Sequence, residues 1–232
     1  MCSGGSEWSE RFERAQRSVV GPARPGAGRM SEAKPPRVVT AEQLNARSPG
    51  KPDHQLARRE LYRGKIFTLD HDTVRFPDGS ESGFDIVRHP GAAAVVPFLS
   101  DPDGEEPQIL LLRQFRYAAG GYIYEIPAGR LDGDETPADC AVRELKEETG
   151  CSAERMEPLF TMFTTPGFTD EVIHVFMATG ITHGQSAREP DEFAEVVIMR
   201  LAEALELIHD GGIPDGKSAL AILFAAGFRT GD

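Results

Sequence analysis

The stretch that decides the fold runs from residue 129 to residue 151 and reads GRLDGDETPADCAVRELKEETGC. It follows the pattern G-x5-E-x7-R-E-U-x-E-E-x-G-U, where U stands for an apolar residue. The positions in register are Gly129, Glu135, Arg143, Glu144, Leu145, Glu147, Glu148 and Gly150, with Cys151 in the last apolar place. Because glycines, glutamates and an arginine all keep this register, a chance acidic segment is a poor explanation of the pattern.

The same stretch predicts a helix with defined ends. Thr136 offers a hydroxyl N-cap, Pro137 fills the first helical position and Asp139 places an acid at the third. Gly150 is typical of a residue that ends a helix in the left-handed conformation. At about 100° per residue, four small or apolar side chains share one face of this helix. The predicted apolar face comprises Ala138, Ala141, Val142 and Leu145.

The glutamates of this helix form a cluster beside the apolar face. Glu144 and Glu148 stand four residues apart, where like charges repel by roughly a few tenths of a kcal/mol. Arg143 precedes Glu147 by four residues and can orient it, while the other carboxylates are the hard oxygen ligands that Mg²⁺ or Mn²⁺ prefers. A solvated acidic face is the alternative, but the register of both glycines and Glu135 favours a metal site.

This stretch resembles the Nudix box, the signature of the Nudix pyrophosphohydrolases, which use Mg²⁺ to hydrolyse nucleoside diphosphate derivatives. The resemblance implies an α/β fold, a Nudix α/β/α sandwich with a mixed β-sheet, preceded by a small antiparallel β subdomain. It also implies that Glu144 and Glu148 are the principal metal ligands, with Glu147 and the backbone carbonyl of Ala128 contributing. Arg143 is then expected to orient the catalytic glutamates.

Composition narrows the partners and the compartment. The formal net charge of -12 argues against nonspecific binding to nucleic acids or to membrane surfaces, which needs a basic footprint. No apolar run reaches the roughly 18 residues that a membrane span needs, and no signal peptide is visible. The three cysteines contain no C-x-x-C pair, so we expect a reduced, cytoplasmic protein without a disulfide framework.

The chain is expected to divide into three parts. Residues 1–55 are rich in Pro, Gly and Ser and predict a disordered leader, residues 56–90 an N-terminal β subdomain, and residues 91–232 the Nudix domain. Two strand candidates flank a turn at residues 76–80 and predict an antiparallel hairpin. Further strands are expected at residues 92–99, 108–115, 122–126, 171–178 and 195–200, and helices at residues 201–209 and 218–226, the last capped by Asp215.

Three segments outside the box resemble the Nudix subgroup that cleaves ADP-ribose and related ADP-sugars. They are RQFRY at residues 113–117, YEIPAG at residues 124–129 and TTPGFTDE at residues 164–171. Guanidinium forks suit phosphate oxygens or a terminal ribose. The candidate substrate-binding residues are Arg113, Arg116, Glu125, Pro166, Phe168 and Glu171. The resemblance thus implies hydrolysis of ADP-ribose to AMP and ribose 5-phosphate.

The subgroup also implies a catalytic base and an assembly. A glutamate on a late loop often serves as the base, and here Glu192 is the first candidate and Glu189 the second. The resemblance to this subgroup also implies a homodimer, in which the β subdomain of one chain helps form the nucleotide site of the other. Arg88 departs from the acid that many relatives carry at this position.

Two other functions stay open at this point. The chain could act on another nucleoside diphosphate derivative, such as GDP-mannose, or on an oxidised nucleotide. From a different class, it could be a module that senses ADP-ribose without cleaving it. Intact Glu144, Glu147 and Glu148 favour catalysis over sensing.

Overall fold

A computed structural model describes residues 54–184 and 194–227 of the chain. The predicted leader, apart from its last two residues, and the candidate bases Glu189 and Glu192 lie outside these ranges. The predictions made for them therefore remain predictions.

The first sheet has three antiparallel strands in the order β1-β2-β3. These strands are β1 (Gln55–Arg63), β2 (Thr68–Arg75) and β3 (Glu81–Arg88). The turn between β2 and β3 closes with a hydrogen bond from Phe76 N to Ser80 O at 2.7 Å, and Gly79 adopts a φ of 86°. The hairpin matches the sequence prediction, whereas β1 was not predicted because all of its residues are exposed and give no alternating pattern.

The central sheet is mixed and has the order β7-β4-β10-β9. Its strands are β4 (Ala92–Pro97), β7 (Ala128–Arg130), β9 (Arg155–Phe163) and β10 (Val172–Thr179). β10 runs parallel to β4, while β7 pairs with β4 and β9 pairs with β10 in the antiparallel sense. β4 is buried along its whole length, as expected of a strand covered on both faces.

A second antiparallel sheet has the strand order β12-β5-β6. It consists of β5 (Gln108–Arg116), β6 (Gly121–Glu125) and β12 (Ala194–Arg200), and a short 3₁₀ turn, Tyr117–Ala119, joins β5 to β6. Two further strands of two residues each, β8 (Cys151–Ser152) and β11 (Thr182–His183), pair with one another.

Helices cover both faces of the central sheet. The helices are α1 (Pro137–Thr149), α2 (Leu201–His209) and α3 (Gly216–Gly227). Alternate residues of β4 enter two separate cores, as the period of a strand requires. Ala92, Ala94 and Val96 pack in the core that contains α2 and α3, while Ala93 and Val95 pack in the core that contains α1. The predicted α/β/α sandwich with a mixed sheet is therefore confirmed.

Arg88 ties the first sheet to the loop that precedes β10. Its guanidinium contacts the buried carboxylates of Asp70 and Asp72 and reaches Asp170 Oδ2 at 3.0 Å. The backbone supports the same contact, since Val87 N donates to Phe168 O at 2.8 Å. The cation found at this position thus neutralises two buried acids of the hairpin.

Within residues 54–184 and 194–227, none of the helices combines the length and the apolar character that crossing a bilayer requires.

Candidate active site

Helix α1 begins and ends where the box predicts. Thr136 Oγ1 accepts a hydrogen bond from Asp139 N at 3.2 Å, and Pro137 occupies the first turn. Gly150 lies in the left-handed region at φ 74°, and its N–H donates to Lys146 O at 2.8 Å. These two ends fix where the glutamates lie along the helix axis.

The buried face of α1 differs from the predicted one. Cys140, Ala141 and Leu145 are buried against the central sheet as an apolar face should be, but Val142 is 51% exposed and Ala138 is also exposed. The prediction for Ala138 and Val142 was wrong because the packed arc continues onto the glutamates instead. Glu144 and Glu148 complete the buried face of the helix.

Glu144 and Glu148 lie against the backbone of β7. They are only 9% and 5% exposed, and Glu148 Oε2 accepts a hydrogen bond from Ala128 N at 2.9 Å. The carboxylate of Glu144 occupies the space where a side chain at position 129 would begin, so a Cβ there would overlap it. Gly129 is therefore required for the close approach of strand and carboxylate.

Arg143 holds the other charges of the box in place. Its Nε and Nη2 form a fork to Glu135 with two distances of 2.9 Å, while Nη1 lies 2.6 Å from Glu144 and 3.0 Å from Glu147. The carboxylate of Glu135 raises the pKa of the guanidinium above its usual value in spite of burial, and Arg143 in turn lowers the pKa of Glu135. Both groups therefore stay ionised at neutral pH.

The donor set suits a hard divalent cation. Among residues 54–184 and 194–227, no three His, Cys, Asp or Glu side chains already converge as a complete metal site. Mg²⁺ does not need three such protein ligands. It is usually bound through one or two carboxylates and completes its coordination shell with water and substrate phosphates. Glu144, Glu148 and the carbonyl of Ala128 fit this requirement by donor type, and the absence of a Cβ at Gly129 leaves room for the Glu144 carboxylate against the strand. Glu147 is more exposed than the other two.

A cavity of about 570 Å³ opens at the strand that Glu144 and Glu148 contact. Ala128 and Gly129 form part of its lining, so the cavity reaches the strand that Glu144 and Glu148 contact. The other lining side chains are largely polar or charged and include His89, Arg116, Glu125, Arg130, Thr164, Glu171, Asp215 and Lys217. Its size is typical of a small-molecule site.

Three of the six predicted substrate residues line this cavity. Arg116 and Glu125 come from β5 and β6, and Glu171 precedes β10, where its Oε2 accepts a hydrogen bond from Thr164 Oγ1 at 2.9 Å. Arg116 donates to Glu125 through Nε at 2.9 Å and through Nη2 at 2.8 Å. Burial alone would raise the pKa of Glu125, but Arg116 and Lys217 lower it overall, so Glu125 is a carboxylate.

The structure does not bring the other three to the cavity lining. Arg113 lies three residues from Arg116 on β5, so the two side chains point to opposite faces of the sheet. The guanidinium of Arg113 instead stacks 4.3 Å from the centre of the Tyr122 ring. Pro166 and Phe168 are exposed in a turn in which Phe168 N donates to Thr165 O.

Several cavity residues were missed by sequence analysis, among them His89 and Lys217. His89 Nδ1 lies 3.4 Å from Glu171 Oε1, and Lys217 Nζ lies 3.0 Å from Glu125 Oε2. A lysine in the first turn of a helix opposes the helix dipole and was the available signal for Lys217. The sequence offered no comparable signal for His89.

The described cysteines are not nucleophiles of this site. Cys140 and Cys151 are both free and buried. Burial raises the pKa of the Cys140 thiol to about 12, so it remains protonated at neutral pH.

Comparison with known proteins agrees with this geometry. A family model described as the NUDIX domain matches residues 89–219. An ADP-ribose pyrophosphatase of Bacillus subtilis is 38% identical over 171 residues, which cover 73% of this chain and 90% of the relative. A GDP-mannose pyrophosphatase of Yersinia enterocolitica is 32% identical over 180 residues, covering 72% of this chain and 92% of the relative.

A solved structure supports the fold. The crystal structure of an ADP compounds hydrolase aligns with a TM-score of 0.63 at 20% sequence identity, covering 75% of this chain and 92% of that chain. At this identity the likeness concerns the fold alone.

Proposed function

The chain belongs to the Nudix hydrolase family, and from that premise we propose that it hydrolyses ADP-ribose to AMP and ribose 5-phosphate. The observation that carries the proposal is the position of Glu144 and Glu148, which are buried against residues that line a cavity large enough for a small molecule. The ADP-ribose pyrophosphatase among its relatives supports the choice of substrate.

Some of the proposed site residues bind a metal ion, and others hold those ligands in position. We propose that Glu144, Glu148 and the carbonyl of Ala128 bind Mg²⁺, or Mn²⁺ in its place, with Glu147 as a further ligand. When bound, the ion would neutralise charge on the diphosphate and lower the pKa of a water molecule. Arg143 orients the glutamates through its contacts with Glu135, Glu144 and Glu147.

The reaction itself is a displacement at phosphorus. A water oxygen forms a new bond to one phosphorus of ADP-ribose, the bridging P–O bond breaks, and the departing phosphate keeps the electron pair. The general base takes the proton of the attacking water. One water is consumed, and the products are AMP and ribose 5-phosphate.

We propose Glu192 as that base, with Glu189 as the second candidate, although both lie outside the described residues. Removing a base slows the chemical step more than it weakens binding. E192Q is therefore expected to lower kcat by about 100-fold with little change in KM, and E189Q serves as the matched control. Steady-state kinetics in which E189Q loses the activity and E192Q keeps it would exchange the two assignments.

A second substrate follows from the relatives. GDP-mannose pyrophosphatases are about as extensively aligned with this chain as the ADP-ribose enzyme is, so GDP-mannose is the second candidate. The test compares kcat/KM for ADP-ribose and GDP-mannose with Mg²⁺, with AMP and GMP release measured by chromatography. We expect the larger value for ADP-ribose. A larger value for GDP-mannose would replace the substrate, and no release from either would favour a sensing module.

We propose that the protein is a homodimer that uses the first sheet. The proposal is supported by the large apolar side chains exposed on this sheet and its loops, which a partner chain would cover. They are Leu56, Leu61, Tyr62, Ile66, Phe67, Phe76 and Phe84. Sedimentation of the full chain measures the assembly, and a monomer at micromolar concentration would contradict it.

The cytoplasm is the proposed compartment. It is supported by Cys140 and Cys151, which are free thiols. Fractionation of cells that make the tagged chain would contradict this if the protein left the cytoplasmic fraction.

A further inference from the structure

Lys217 is a largely buried cation that lines the cavity. Its side chain is 15% exposed, and its ammonium lies 3.0 Å from Glu125 Oε2 and 2.7 Å from Asp215 Oδ2. Lysine is rarely buried, and its flexible stem normally carries the charge out to water. The position of Lys217 therefore needs a reason in the fold or in the site.

Local structure does not supply that reason. Lys217 lies in the first turn of α3, where the helix dipole disfavours a cation. Asp215 already caps this helix through Ser218, whose N donates at 3.1 Å and whose Oγ donates at 2.5 Å. Glu125 already has the two-bond fork from Arg116. Neither carboxylate depends on Lys217 for a partner.

The ammonium has a donor to spare on the cavity side of the fold. Three N–H groups belong to an ammonium, and the described contacts of Lys217 are with two acceptors. Arg116 uses Nε and Nη2 on Glu125, so its Nη1 also has donors for another acceptor. Both cations line the same cavity as Ala128 and Gly129. An anion bound in this cavity can thus meet two cations at once.

We propose that Lys217 binds a phosphate oxygen of the substrate's diphosphate, with Arg116 as the second cation. Phosphate is the part of a nucleoside diphosphate sugar that accepts charge-assisted hydrogen bonds from ammonium and guanidinium groups. Glu125 then positions the two cations, both of which contact its Oε2, instead of contacting the substrate. This inference rests on the proposed function, because that function supplies the diphosphate.

Kinetics of K217M, K217R and K146M test the inference. Methionine keeps the apolar stem without the charge, so K217M is expected to raise KM for ADP-ribose about tenfold and to leave kcat within about twofold. Inhibition by inorganic pyrophosphate should weaken by a similar factor, because this probe carries only the diphosphate. K217R restores a cation and should recover most of both losses. K146M removes an exposed ammonium of α1 and should change neither KM nor the inhibition by pyrophosphate.

The outcomes separate this inference from the proposed function. K217M with unchanged KM and unchanged pyrophosphate inhibition would overturn it, and so would losses that K217R does not recover. If the wild-type chain releases no AMP from ADP-ribose, the proposed function fails. Calorimetric titration of wild type and K217M with pyrophosphate and Mg²⁺ then decides the role of Lys217 separately, since equal affinities would overturn it.

Discussion

E148Q is expected to lower kcat for ADP-ribose by about three orders of magnitude, because charge stabilisation by a bound metal ion is worth several kcal/mol. The substituted glutamine would keep the size of the side chain and an oxygen that accepts from Ala128 N, but it would remove a negative ligand. E144Q should have a similar effect, because the Glu144 carboxylate lies against Gly129 of the same strand. Steady-state release of AMP measures both variants, and excess chelator should abolish the wild-type activity.

The fold should survive these substitutions. Glu144 and Glu148 are buried like charges four residues apart, so removing one charge relieves repulsion within α1. The melting temperature of E148Q is therefore expected to equal or exceed that of the wild type, while that of E144Q should fall slightly because Arg143 loses an ion-pair partner. E206Q, which changes an exposed glutamate on α2, is the matched control and should keep full activity. Wild-type turnover by E148Q, or activity in excess chelator, would contradict a metal role for the box.

Local signals explain why much of the fold could be predicted. Thr136 and Gly150 mark the ends of α1, and the helix over residues 201–209 and the strands around it follow from their apolar periods. β9 was missed because Pro158 interrupts its pattern. The structure accommodates this proline where the register with β10 shifts between Val175 and Phe176, a place where the strand does not need the missing N–H.

The site could be predicted only as far as contacts are local. Spacing predicted that the box glutamates lie together on one helix, but the partner of Glu125 in α3 is separated from it by 92 positions in sequence. No local pattern relates residues so far apart. Arg113 illustrates a second limit, since the motif joins it to Arg116 although the strand period sends their side chains to opposite faces.

G129A is the substitution that should separate geometry from charge. Every glutamate remains, yet the added Cβ would overlap the carboxylate of Glu144 and force it to move. At the proposed metal site, a displaced Glu144 would no longer bind the ion together with Glu148, so kcat is expected to fall by about 100-fold, in line with the cost of misplacing one catalytic group. Gly121 in β6 is the matched control, because a Cβ there meets nothing within 4 Å, and G121A should keep its activity.

A double-mutant cycle decides whether G129A acts through Glu144. Since the end of a flexible side chain can shift without unfolding the protein, the melting temperature of G129A should change by only a few degrees, roughly a 1 kcal/mol effect. If displacement of the Glu144 carboxylate is the cause, G129A should add little to the loss already produced by E144Q, because two changes to one contact are not additive. Fully additive losses would mean that Gly129 acts on the strand itself, and wild-type kcat in G129A would mean that the position of Glu144 against β7 is not needed for turnover.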